Sequence, residues 1–90
     1  MEPVDVTVEF YGVPRQRAGR AELSVKGGSV ADVLEAVRRA CPALADVVLP
    51  DGRLAPHYLL SLSGQRFVQD GREAVRPGDR FVLLSADVGG

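Results

Sequence analysis

The chain has 90 residues, 46% of them hydrophobic and 26% charged, with 11 Lys+Arg against 12 Asp+Glu and a formal net charge of -1. That length holds one domain with one thin core, which argues against a deep catalytic cleft between domains. The balanced charge leaves no basic excess for a nucleic-acid backbone, and one cysteine with one histidine makes neither an internal disulfide nor a zinc site.

Met1-Glu2-Pro3 is acidic and runs straight into an alternating pattern, so no signal peptide is expected. No apolar run approaches the roughly 20 residues that span a bilayer. The expectation is a small cytoplasmic domain that engages neither nucleic acid nor membrane. Val4, Val6, Val8 and Phe10 alternate with Asp5, Thr7 and Glu9, the period of a half-buried strand. Gly12, Pro14 and Gly19 break that pattern, and the basic stretch Arg15–Arg20 between them reads as a solvated loop. A second strand is expected at Ala21–Lys26, paired with the first.

Gly27-Gly28 ends it, and Ser29 stands as a helix N-cap with Asp32 three residues on. Val30, Val33, Leu34 and Val37 then fall on one helical face. Arg38 and Arg39 suit the negative end of the helix dipole, and Pro42 stops the helix, which is expected over residues 29–41. Ala43–Val48 has the composition for one further helical turn, and Pro50-Asp51-Gly52 for a chain reversal. His57–Ser63 reads as a strand, Gly64-Gln65 as a hairpin turn and Arg66–Val68 as a short returning strand. Turns at Asp70-Gly71 and Pro77-Gly78-Asp79 precede a last strand, Arg80–Ser85. Residues 86–90 carry no pattern and read as a free tail behind a domain of residues 1–85.

Strand, strand, helix, strand, short strand, strand is an α+β order. It predicts a mixed four- to five-stranded sheet packed on one main helix, the β-grasp (ubiquitin-like) fold, with the first and last strands parallel at the centre.

The familiar catalytic motifs are absent from the sequence. Gly27-Gly28-Ser29 reads as a strand-to-helix turn rather than an anion site, His57 as a surface residue and Cys41 as a buried inert thiol. What stands out is the end, Gly89-Gly90. With glycine near 7% of residues, two closing glycines arise by chance in roughly 1 in 200 chains. A Gly-Gly end has no side chains and threads a narrow channel. From Ser85 it reaches at most about 20 Å, enough to place a carboxylate in another protein's active site. A carboxylate, anionic above a pKa of about 3.5, needs activation before it accepts a nucleophile. Adenylation by ATP supplies that. A sulfur nucleophile then yields a terminal thiocarboxylate, whereas a lysine amine yields a protein conjugate.

One helix covers one face of a sheet, yet Phe81-Val82-Leu83-Leu84 does not alternate. Either Phe81 and Leu83 or Val82 and Leu84 face away from the helix, and Tyr58-Leu59-Leu60 shows the same excess. The result is an open apolar patch beside the tail, unless residues 42–56 fold over it. Val82, Leu84, Leu59, Asp87 and Val88 are the candidate partner contacts, and Gly89 and Gly90 the reactive end.

Over essentially its whole length the chain resembles the MoaD/ThiS sulfur carriers. The residues concerned are the alternating first strand, the stretch Tyr11–Gly19, the helix opening Ser29-Val30-Ala31-Asp32-Val33-Leu34, Ser63-Gly64-Gln65, Pro77-Gly78-Asp79-Arg80 and the end Leu84–Gly90. Ser63 stands where the family often has Asn, and Ser85-Ala86 where many members have two prolines. The length is nearer the molybdopterin and cysteine-pathway types than the thiamine carriers. The resemblance implies a protein co-substrate rather than an enzyme. An E1-like adenylating enzyme with ATP, magnesium and often zinc would activate Gly90. A sulfurtransferase would supply sulfur, and a larger synthase subunit or another sulfur-accepting enzyme would take it. The chain itself would bind no cofactor. The alternatives are a ubiquitin-like modifier joined to lysines through Gly90 and a β-grasp interaction domain with an inert tail.

Overall fold

The computed structural model describes residues 2–86. Seven strands and two helices follow one another as β1 (Val4–Phe10), α1 (Val13–Ala18), β2 (Glu22–Gly27), α2 (Val30–Ala40), β3 (Val48–Leu49), β4 (Arg53–Leu54), β5 (Tyr58–Leu62), β6 (Arg66–Phe67) and β7 (Arg80–Ser85). The main sheet has the order β2-β1-β7-β5-β6, and β3 and β4 form a separate hairpin. β1 and β7 are parallel, with Val8 beside Phe81 and Phe10 beside Leu83; every other neighbouring pair is antiparallel. The mixed sheet on one main helix is the expected β-grasp arrangement.

The core lies between sheet and α2. Val6, Val8 and Phe10 of β1, Phe81 and Leu83 of β7, and Leu60 of β5 meet Val30, Val33, Leu34 and Val37 of α2, all buried. Apolar spacing at i, i+3, i+4 and i+7 keeps that stripe of α2 on the sheet. Its start is capped as the sequence predicts, with the Asp32 N–H donating to Ser29 Oγ at 3.2 Å. Cys41 is buried at its far end. The segment after Pro42 makes a single 3₁₀ turn, Pro42–Leu44, and sends Leu44, Val47 and Val48 into the core. It therefore closes the helix side of the sheet. A second 3₁₀ turn, Pro50–Gly52, lies against the first turn of α2 so closely that a Cβ on Gly52 would stand 2.2 Å from the Ala31 carbonyl oxygen.

Two local expectations are corrected. The stretch read as a basic loop is mostly the short helix α1. Pro14 presets its first turn, and Gly19, left-handed at φ 71°, ends it with an N–H bond to the Arg15 carbonyl. The middle hairpin turns one residue earlier than expected. Ser63 (φ 54°) and Gly64 (φ 68°) are both left-handed, and the Gln65 N–H donates to the Leu62 carbonyl at 3.0 Å. Two positive φ angles at the centre of the Leu62–Gln65 turn match the right-handed twist of the flanking strands, and the ladder resumes with Leu62 opposite Arg66.

Candidate functional site

Cross-strand register settles which residues face away from α2. Phe81 and Leu83 are buried against the helix, so Val82 and Leu84 point to the open face, each partly exposed. Val82 pairs with Ser61 on one side and Glu9 on the other, and Ser61 pairs with Phe67. Leu84 pairs with Leu59. The predicted Leu59, Val82 and Leu84 therefore share one surface. The core positions of residues 44–48 place that segment on the opposite side of the sheet.

Two large aromatic residues that the sequence reading did not single out extend the exposed apolar surface: Phe67, 56% exposed, and Tyr11, 50% exposed. Tyr11 is tied beside β7 through its N–H, which donates to the Leu83 carbonyl at 3.0 Å. The signal for Phe67 was its place between Arg66 and the buried Val68, which puts it on the outer face of a short edge strand. Small, isolated apolar residues on a surface are ordinary, but an aromatic flanked by a contiguous aliphatic row marks a contact surface. Arg80 borders the row, its Nη2 standing 3.3 Å from Glu9 Oε1 and 3.6 Å from Glu22 Oε1. The patch is apolar at β5–β7 and charged toward β2.

The open face leads to the chain's last predicted segment. Ser85 pairs with Tyr58, and the Ala86 N–H still donates to the His57 carbonyl at 2.7 Å. His57 adopts φ 76° as the chain enters β5. Its side chain is exposed, as expected of a surface residue, and its backbone carbonyl receives the base of the predicted tail. Asp87, Val88, Gly89 and Gly90 lie outside the described residues. Farther along the molecule, Arg66 pairs with Glu73 through both guanidinium nitrogens, and that hydrogen bond holds the Glu73 carboxyl below its ordinary range. The Arg72 backbone N–H and guanidinium do the same for Asp70. These pairs brace the 66–76 segment at the edge of the sheet.

Among the described residues, no group of three or more His, Cys, Asp or Glu is placed to hold a metal ion. No helix among them is long and apolar enough to cross a membrane. No family model matches the chain, and no curated protein matches it in sequence. Solved structures do match. SAMP1 from Haloferax volcanii shares 27% identity at a TM-score of 0.82, over 96% of this chain and 98% of that one. Small archaeal modifier protein 1 from Methanosarcina acetivorans shares 25% at a TM-score of 0.84, over 100% of both chains. This chain is a ubiquitin-like β-grasp protein. A third structure, the Amycolatopsis orientalis BexX/CysO complex, matches this β-grasp chain at 20% identity and a TM-score of 0.77, over 94% of this chain and 99% of that one, a likeness of fold. The resemblance to the MoaD/ThiS family drawn from the sequence is met by these neighbours, one of which is described as a small archaeal modifier protein.

Proposed function

We propose that this β-grasp chain is a sulfur carrier that works through the carboxyl group of Gly90. The observation that carries the reading is the position of β7. The strand runs down the middle of the sheet, sets Val82 and Leu84 on the open face and delivers the chain at Ala86, beside that face. It does so in a fold matched along essentially all of its length by SAMP1.

An E1-like adenylating enzyme docks on Leu59, Val82 and Leu84 and contacts Asp87 and Val88. One Gly90 carboxylate oxygen attacks the α-phosphate of ATP, held with magnesium by that enzyme, and pyrophosphate leaves. A sulfur nucleophile provided by a sulfurtransferase displaces AMP and leaves a thiocarboxylate. That sulfur passes to a small-molecule precursor in a larger synthase subunit. Molybdopterin formation is the first destination to test, with thiamine, cysteine and other sulfur metabolites behind it. The side-chain-free Gly89 and Gly90 fit a channel that a β-branched residue would block. The chain supplies the handle and the docking surface, and the partners supply catalysis.

A second reading shares the adenylate: capture by a lysine amine, which makes the chain a protein modifier. The observation favouring it is the likeness to two SAMP1 structures, one described as a small archaeal modifier protein. Intact-mass spectrometry of the protein isolated from its host separates the readings. A carrier gains the mass difference between sulfur and oxygen, localised by fragmentation to Gly90, and alkylation of the thiocarboxylate adds one alkyl group at that residue. A modifier appears in higher-mass adducts that require Gly90. Sulfur transfer that persists in a reconstituted system after deletion of Gly90 would refute the carrier reading.

A further inference from the structure

Of the 11 basic residues, ten are arginines and one, Lys26, is a lysine. A guanidinium stays protonated at physiological pH and is a poor acyl acceptor, whereas a lysine amine is a competent one once it sheds a proton. Lys26 is therefore the sole side-chain amine in the sequence. It lies on β2, the edge strand of the sheet, opposite Asp5 of β1. Its side chain is 73% exposed, and its Nζ stands 3.7 Å from Asp5 Oδ1. That separation orients the amine without locking it in a short hydrogen bond.

We propose that Lys26 is the acceptor for the activated Gly90 of a second copy of this chain, so that homotypic conjugates carry a single linkage and grow without branching. The proposal rests on the activation of Gly90 described above. The step balances as an aminolysis. The Lys26 ammonium loses one proton to solvent, and the free amine attacks the carbonyl carbon of the Gly90 adenylate. The new C–N bond forms, the C–O bond to phosphate breaks, AMP leaves with that electron pair, and a second nitrogen proton passes to solvent. ATP, used to form the adenylate, is the only co-reactant.

Register makes the donor a second molecule. Phe10 pairs with Leu83, which sets Ser85 level with Gly12; a Cβ on Gly12 would stand 3.9 Å from the Ser85 Cβ. Lys26 pairs with Asp5, seven residues back along β1. At about 3.3 Å per residue that is roughly 23 Å along the sheet. Because β7 is parallel to β1, the chain leaves β7 heading away from Lys26. Ala86 is held by its N–H bond to the His57 carbonyl, about 26 Å along the sheet from the level of Lys26, and four further residues reach at most about 14 Å, to which an extended lysine side chain adds about 6 Å. A molecule's own Gly90 thus falls short of its own Lys26, and another molecule's does not. Linkage there leaves Leu59 and Leu84, at the other end of the open face, available for docking, so a modified copy can itself be activated.

The test incubates the full chain with the adenylating enzyme of its host, ATP and magnesium. ATP–pyrophosphate exchange reports activation of Gly90, and intact mass reports conjugation. The expected adduct weighs two chains less one water, with fragmentation placing the amide between Gly90 and Lys26. Lys26→Arg keeps the charge opposite Asp5 and the exchange rate while losing at least nine-tenths of the adduct. Normal exchange with no adduct in the unsubstituted chain overturns the acceptor role of Lys26 alone. So does adduct that persists in Lys26→Arg or maps to the α-amine. Loss of exchange in the unsubstituted chain overturns the activation of Gly90 as well.

Discussion

Replacing Gly52 by alanine tests how the 3₁₀ turn at 50–52 is seated on α2. Two effects act together there. The backbone is left-handed at φ 69°, which costs an L-residue about 1–2 kcal/mol. The new methyl also lands 2.2 Å from the Ala31 carbonyl oxygen and 2.7 Å from its Cα, both backbone atoms in the first turn of a capped helix. No side-chain rotation relieves such a contact, so the turn must lift by about 1 Å, and crowding of this kind in packed interiors costs roughly 1–3 kcal/mol. Gly64→Ala isolates the first effect, since φ is 68° and nothing lies within 4 Å of the new methyl. After allowing for the lower entropy of the unfolded alanine chain, Gly64→Ala should cost about 1 kcal/mol and Gly52→Ala about 2–4 kcal/mol. For a domain of this size the second figure lowers Tm by roughly 10–25 °C. Urea unfolding of both variants gives the two values side by side. Equal losses would refute the reasoning, because the difference between them is the contact with Ala31.

Leu84→Asp puts a charge in the apolar row of the open face; it should raise the KM for ATP–pyrophosphate exchange tenfold or more while the kcat falls little, checked in the same exchange assay with urea unfolding as a fold control. Ser63→Asn places a residue that tolerates left-handed backbone at φ 54° and should stabilise by about 0.5 kcal/mol, raising Tm by roughly 2–4 °C in a thermal melt. Stability should also fall as pH drops below about 4.5. The hydrogen bond from Arg66 holds the folded Glu73 carboxyl below the ordinary carboxylate range, so the unfolded chain takes up its proton first and acid favours unfolding. Glu73→Gln should flatten this acid limb of the unfolding midpoint against pH, and an unchanged slope would remove Glu73 from the explanation.

Much of the fold was legible because local pattern and tertiary burial agree. The period-two run Val4–Phe10 and the stripe Val30, Val33, Leu34, Val37 each have one buried face, and Ser29 caps the helix it precedes. Where a segment lacks a buried face, the pattern fell silent. Helix α1 buries only Pro14, so its sequence offered breakers and charges but no stripe. The β3–β4 hairpin is two residues a side, too short for any period to show. The open face was half-legible. The continuous run Phe81–Leu84 announced that one side lacked a cover, but only the register of β1 and β5 against β7 decides which. Phe67 joined the surface through its pairing with Ser61 across the hairpin, a register that depends on where the turn falls. The turn at Ser63-Gly64 shifted by one residue because hairpin twist, rather than residue type alone, selects which positions take positive φ.

The central position of β7 has a consequence for biosynthesis. The strand supplies both inner ladders of the sheet, to β1 at the other end of the chain and to β5. Until residues 80–85 have left the ribosome, Val8, Phe10 and Leu60 have no Phe81 or Leu83 to close over, and contacts of such long sequence separation form late. The nascent chain therefore stays unfinished, and open to proteolysis, until β7 has emerged. A product terminated before β7 lacks Phe81 and Leu83, cannot close its core over Val8, Phe10 and Leu60, and so presents itself for removal.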